Sequence, residues 1–192
     1  MIKHDDLNIE YIESFLSKEY SDTVLLKLLN EVPWQNDTIN MFGKKYLLPR
    51  LTAFYGDIGK VYNYSGISMN PLPWTKPLMD IKKIVEEKAK MSFNTVFLNR
   101  YRSGEDYQGF HSDDEVALGK NINIASISLG AERDFKMKHK TDSNNNSFSI
   151  NLKHGSLLTM RHPTQNFWLH SVPKRLKIKE ERINLTFRKI ML

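Results

Sequence analysis

From Phe93 onward the chain breaks into short runs of alternating apolar and polar residues separated by turn formers, and no long helical pattern returns before the C-terminus. Strand side chains alternate faces residue by residue, so such runs read as strands with one buried face, and strands this short build antiparallel sheet. They fall at residues 95–101, 122–129, 135–139, 148–152, 156–160, 167–170 and 182–188, with a solvated loop of three consecutive asparagines within 142–147. Strands of this kind predict two sheets laid face to face, a jelly roll whose mouth can hold a ligand. Before residue 93 the pattern differs. Ser17 is placed to cap a helix that carries Leu25, Leu28 and Leu29 and stops at Pro33. A second helix between Pro73 and Met91 sets Leu78, Ile81, Ile84, Val85 and Ala89 at helical spacing, with Thr75 as cap and Pro77 in the first turn. Residues 7–15 read as an edge strand. The expected class is α+β, in one domain spanning 1–192: a double-stranded β-helix core over about residues 93–192, N-terminal helices on one face, and a nucleotide-recognition hairpin region at about 37–75.

Composition narrows the chemistry. Among 192 residues there is no cysteine, which excludes disulfide staples, thiolate zinc sites and cysteine nucleophiles. The formal charge is +6 and the pI about 9.3, and between Ser171 and Lys189 seven Lys or Arg meet two acids. A surface of that sign attracts phosphate, so nucleic acid is the first partner to consider. No apolar run approaches a membrane span and the first six residues are unlike a signal peptide, so the expected protein is soluble, has no membrane partner, and is intracellular, cytoplasmic or nuclear depending on the host.

The stretch Gly109-Phe110-His111-Ser112-Asp113-Asp114-Glu115 puts an imidazole and a carboxylate two residues apart, on one face of an extended segment. One further histidine would complete a two-histidine, one-carboxylate triad, the ligand set that suits non-haem iron(II). The candidates are His4, His139, His154, His162 and His170. His154 precedes a glycine and His162 a proline, as structural residues do, whereas His170 ends an alternating strand at a rim and is the best choice. On the last strand Arg182, Asn184, Thr186 and Arg188 share a face opposite Ile183, Leu185 and Phe187. An ordinary half-exposed strand has this pattern, but two arginines on one face also suit a dicarboxylate, which the planar guanidinium grips bidentately. Asn99 and Tyr101 repeat the spacing on another strand. Upstream, Met41-Phe42-Gly43-Lys44-Lys45 reads as a hairpin turn with an apolar tip; taken alone, Phe42 folds back into the core. In Tyr62-Asn63-Tyr64-Ser65 the two tyrosines share a face, which either packs or stacks a planar base.

Five ordered blocks go further: His111-Ser112-Asp113-Asp114-Glu115, Ile124-Ala125-Ser126-Ile127-Ser128-Leu129-Gly130, His154-Gly155-Ser156-Leu157-Leu158, Trp168-Leu169-His170-Ser171 and the strand Arg182-Ile183-Asn184-Leu185-Thr186-Phe187-Arg188. Together they resemble the AlkB family of iron(II) and 2-oxoglutarate dependent dioxygenases, and the resemblance runs from about Met41 to the C-terminus. It implies a jelly-roll core with Fe(II) on His111, Asp113 and His170. Asn99, Tyr101, Arg182, Asn184, Thr186 and Arg188 would then line the site of 2-oxoglutarate, which is consumed with O2. The implied activity is repair of DNA by oxidative removal of N-methyl groups from 1-methyladenine and 3-methylcytosine, with release of formaldehyde. Within the family the resemblance is to the duplex-DNA type, AlkB homologue two, whose finger phenylalanine wedges into the base stack. Phe42, Gly43 and Lys44 match that finger, which reverses the core reading of Phe42; Tyr64 matches an aromatic that sandwiches the flipped base against His111. Tyr62, Ser65, Asp114 and Glu115 would lie around the base, and Arg175, within Lys174-Arg175-Leu176-Lys177, would grip the backbone, although Leu176 interrupts the basic run. The long N-terminal extension that recruits a replication clamp is not recognisable, so a monomer without that partnership is expected. RNA or single-stranded nucleic acid is the alternative substrate, and an inactive nucleic-acid binding module the alternative class.

Overall fold

A computed structural model describes residues 4–41, 44–64, 67–141 and 147–191. Its elements in chain order are β1 (Asn8–Ile12), α1 (Lys18–Glu31), β2 (Thr38–Met41), β3 (Lys44–Leu47), β4 (Leu51–Gly56), β5 (Tyr62–Tyr64), β6 (Ile67–Met69), α2 (Lys76–Ala89), β7 (Thr95–Tyr101), β8 (Gln108–His111), β9 (Ile124–Gly130), β10 (Arg133–His139), β11 (Ser147–Leu152), β12 (Ser156–Arg161), a single turn α3 (Thr164–Phe167), β13 (Trp168–Val172) and β14 (Arg182–Arg188). Six strands in the order β1-β12-β9-β14-β7-β4 form the large sheet, and four in the order β11-β10-β13-β8 the small one. The hairpins β2-β3 and β5-β6 stand apart from both. The two sheets pack face to face through Phe97, Ile124 and Leu158 on one side and Phe135, Met137 and Trp168 on the other, giving the double-sheet jelly roll.

Strand β14 lies at the centre. It pairs in register with β7 and β9, so Arg182, Asn184 and Thr186 stand beside Tyr101, Asn99 and Phe97 on one side and Gly130, Ser128 and Ser126 on the other. The half-exposed alternative for this strand fails because every one of its residues is buried. Its apolar face, Ile183, Leu185 and Phe187, packs with Val24 and Leu28 of α1 and Leu78, Ile81 and Val85 of α2. Its polar face looks into the barrel. Alternation in this strand therefore separates a dry core from a polar interior, since both faces are covered.

The helices follow their local signals. Ser17 caps α1 by accepting a hydrogen bond from the Tyr20 amide at 3.3 Å. Thr75 occupies the same position before α2 but makes no side-chain cap bond, so the first turn there depends on Pro77. Edge strand β1 is shorter than expected, and the run at 167–170 begins at Trp168 because Thr164–Phe167 form the turn α3. Strand β4 escaped the sequence reading: Leu51-Thr52-Ala53-Phe54-Tyr55-Gly56 is buried from Thr52 onward and shows no clean alternation. Asparagines 144–146 lie outside the described residues.

Leu185→Ala should lower stability by about 2–5 kcal/mol, the usual loss for emptying a core site of this size, read as a fall in the urea midpoint. Leu26→Ala on the solvent face of α1, where the side chain is 62% exposed, should change it by no more than about 0.5 kcal/mol.

Candidate metal centre

Strands β13 and β8 are neighbours, and His170 stands opposite His111 in their register, so the two imidazoles meet with ring centroids 4.2 Å apart. Asp113 follows two residues beyond β8, and one ligand atom from each of His111, Asp113 and His170 lies within 4.8 Å of the others. Among the described residues this is the one such cluster. The carbonyl oxygen of Gly109 lies 3.0 Å from His111 Nδ1 and can only accept, so Nδ1 carries the proton and Nε2 presents its lone pair, 3.7 Å from Asp113 Oδ1. Asp113 is held from both ends. Its amide donates to Gln165 Oε1 at 2.9 Å, and its Oδ2 accepts from Arg188 Nη2 at 2.7 Å and Nε at 3.2 Å. Its other oxygen, Oδ1, is buried without a hydrogen-bond partner, as is His170 Nδ1. A carboxylate with one oxygen anchored and the other bare, flanked by two imidazoles, fits a divalent cation.

The electrostatics keep this donor set ready. Burial alone would raise the Asp113 carboxyl, but the Arg188 guanidinium outweighs it and holds the group below the usual carboxylate range. Burial lowers His170 to about 3, with the neighbouring His111 adding to the effect, and lowers His111 as well. Both shifts favour the neutral imidazole, the form a metal ligand needs.

Beyond the triad the cavity runs along the polar face of β14. Arg182 donates through Nη2 to Ser128 Oγ at 2.9 Å, while its Nε and Nη1 are buried without partners and its guanidinium carbon lies 5.1 Å from the Tyr101 ring centroid. Burial lowers this arginine to about 10. Two open donors in a dry pocket fit a carboxylate. Asn184 bonds Ser126 Oγ and accepts from Thr186 Oγ1, so these two are engaged with the sheet. Arg182 therefore has two donors to offer, while Arg188 spends Nε and Nη2 on Asp113. The sequence reading missed Arg50, only 2% exposed in the same cavity, whose Nε donates to Asn99 Oδ1 at 2.6 Å. A single arginine after a proline carries no pattern that could have found it.

On the open side of the centre, Tyr62 is 2% exposed and its hydroxyl donates to Glu115 Oε1 at 2.7 Å. Glu115 Oε2 is buried without a partner, and burial together with the Asp113 charge raises this carboxyl above its ordinary range. Asp114 is exposed and accepts from Ser112 Oγ. Arg175 is paired with Asp134 through Nε at 2.6 Å. Its loop is tied down by Gly104, whose amide donates to Ile178 O and whose carbonyl accepts from the Arg175 amide; a Cβ at Gly104 would overlap the Arg175 carbonyl. Phe42, Gly43 and Ser65 lie outside the described residues, and of Lys44 and Tyr64 only the backbone is described. Two of the other histidines have structural partners: His154 Nδ1 accepts from the Gly130 amide, and His139 pairs with Asp6.

A jelly roll carrying a buried His-Asp-His triad beside a carboxylate-sized arginine pocket defines an oxygenase of the 2-oxoglutarate and Fe(II) class, and the 2OG-Fe(II) oxygenase superfamily model matches residues 8–188. The chain is 41% identical over 201 residues to the human (Homo sapiens) DNA oxidative demethylase ALKBH2, covering 100% of this chain and 76% of that protein. It is 41% identical over 184 residues to the bovine (Bos taurus) alpha-ketoglutarate-dependent dioxygenase alkB homolog 3, covering 92% of this chain and 64% of the relative. The solved structure of OsALKBH1 superposes with a TM-score of 0.66 at 18% identity, over 94% of this chain and 97% of that one, which is a likeness of fold. The chain belongs to the AlkB family within that superfamily, close to ALKBH2. Its cofactor is Fe(II), and 2-oxoglutarate and O2 are its co-substrates.

Arg188→Met should leave Asp113 without its anchor and weaken divalent-metal binding roughly 10- to 100-fold, the usual effect of losing a group that orients a ligand. Anaerobic titration with Mn(II) measures this, and an unchanged Kd would mean that Asp113 is positioned by Gln165 alone.

Proposed function

We propose that this protein is a DNA oxidative demethylase that acts on N-methylated bases, 1-methyladenine and 3-methylcytosine, preferably in duplex DNA, and that it works as an intracellular monomer. The observation that carries the reading is likeness along almost the whole chain, at about 40% identity, to proteins named DNA oxidative demethylase. Bound Fe(II) with 2-oxoglutarate and oxygen supplies the oxidation that hydroxylates the methyl carbon; the product then loses formaldehyde.

The residues of this chain have the following parts in that reading. Arg182 offers Nε and Nη1 to a carboxylate of 2-oxoglutarate, with Tyr101 beside it and Asn99 two residues along β7. Arg188 keeps Asp113 ionised and oriented. His111, whose side chain is 24% exposed, offers a ring face at the mouth of the cavity, opposite the place the resemblance gives to Tyr64. Glu115, fixed by Tyr62, is the acceptor this reading assigns to the base. A protonated Glu115 donates and an ionised one accepts, and its proximity to the cationic ring of 1-methyladenine or 3-methylcytosine favours ionisation. A base in a duplex cannot reach a buried metal, so it must leave the stack, and Phe42, which follows β2 in the sequence, is the apolar group proposed to fill the gap.

Matched duplex and single-stranded DNA and RNA oligonucleotides carrying each methylated base, incubated with iron(II) and 2-oxoglutarate, test the reading. Formaldehyde and restored base are expected from DNA, fastest from duplex; turnover on none of them would reject it, and turnover on RNA alone would replace DNA with RNA. His111→Ala should abolish turnover on every substrate, and Arg182→Met should raise the KM for 2-oxoglutarate at least tenfold. Phe42→Ala should slow duplex repair more than single-strand repair, and equal losses would argue against a wedge.

A further inference from the structure

Strand β8 carries one side chain that neither the triad nor the sheet requires. Gln108 pairs across to Val172 while His111 pairs to His170, so β8 has one residue more than β13 between the two pairings. This irregularity turns both Gln108 and His111 into the cavity. The Gln108 amide nitrogen stands 2.8 Å from His111 Nε2, and its amide oxygen accepts from the Tyr101 hydroxyl at 3.4 Å. The Gly109 carbonyl fixes the direction of the first contact. Because Nδ1 of His111 must carry the ring proton, Nε2 is an acceptor, and the Gln108 atom facing it must be the donating nitrogen.

That acceptor is the same lone pair His111 offers to the metal. One lone pair cannot accept a hydrogen bond and form a coordinate bond at once, so the two uses exclude each other. We propose that Gln108 sets the metal affinity of the centre by competing for His111 Nε2, so that the triad holds its cation less tightly than its three ligands alone would. The inference stands on the metal centre and is independent of which nucleic acid the enzyme takes. The competition also has a chemical signature. A hydrogen-bond competitor is lost before any metal binds, so it weakens every divalent cation by the same factor, whereas a group acting as a ligand would discriminate among them.

Removing the amide while keeping the bulk isolates the effect. Mn(II) titrated anaerobically into the wild type, Gln108→Leu and Gln108→Met should bind roughly two- to tenfold more tightly in both variants, the factor expected from one neutral hydrogen bond. Ni(II) should show the same factor. The sign separates competition from damage, because a disturbed fold loosens the triad and weakens binding. Unchanged or weaker binding in both variants would overturn the proposal, as would factors that differ between the two metals. The wild type gives an independent readout: the Gln108 side-chain amide resonances should move when diamagnetic Zn(II) saturates the site, and resonances that stay in place would show that the amide never faced the metal-binding lone pair.

Discussion

The structure depends on a buried ion pair between Arg188, at the end of the central strand, and Asp113, in the loop that leaves the small sheet. Taking either charge out of water costs several kcal/mol, and the pair is tolerable because each partner supplies the other's main interaction. Arg188 stays charged because Asp113 faces it, and Asp113 stays ionised because Arg188 does. The pair also joins the two sheets across the cavity. One carboxylate oxygen is spent on the guanidinium and the other is left bare toward His111 and His170, so the contact that bridges the sheets also aims the metal ligand.

Around that pair the polar interior is graded. At the Arg188 end Nε and Nη2 are held by Asp113; at the Arg182 end Nε and Nη1 are buried without partners. Arg182 and Arg188 are six residues apart on one strand face, yet the first keeps two buried donors without partners and the second gives two to Asp113. Their pKa values move in opposite directions: burial lowers Arg182, whereas at Arg188 burial is outweighed by Asp113 together with Tyr62 and Glu115.

The sequence made the sheet legible wherever strands alternate, as in β7 and β14, because a period of two survives any tertiary context that keeps one face apolar. It failed at β4, where both faces are covered and alternation disappears, and it could not see that Thr75 leaves its cap bond unmade. The triad was readable because His111 and Asp113 are local in the chain and His170 lies on an alternating run, although β13 continues past it to Val172 and buries it rather than leaving it at a rim. The contacts that complete the centre were not. Arg50 with Asn99, Gln165 with Asp113, and Tyr62 with Glu115 join residues 49, 52 and 53 positions apart, and nothing in either partner's neighbourhood announces the other. The AlkB resemblance supplied the roles of the ordered blocks and put both arginines at the 2-oxoglutarate site, where Arg182 has open donors and Arg188 a contact with Asp113.

Gly104 has a consequence for how the molecule is put together. Three residues after Tyr101, it is welded by two backbone hydrogen bonds to the loop that carries Arg175, with no space for so much as a methyl group between them. The basic loop therefore cannot drift with respect to the end of β7. Tyr101, on the floor of the cavity, and Arg175, on the outer surface, belong to one mechanical unit, so the distance between the inside of the barrel and its charged rim is fixed by main chain rather than by side-chain rotamers.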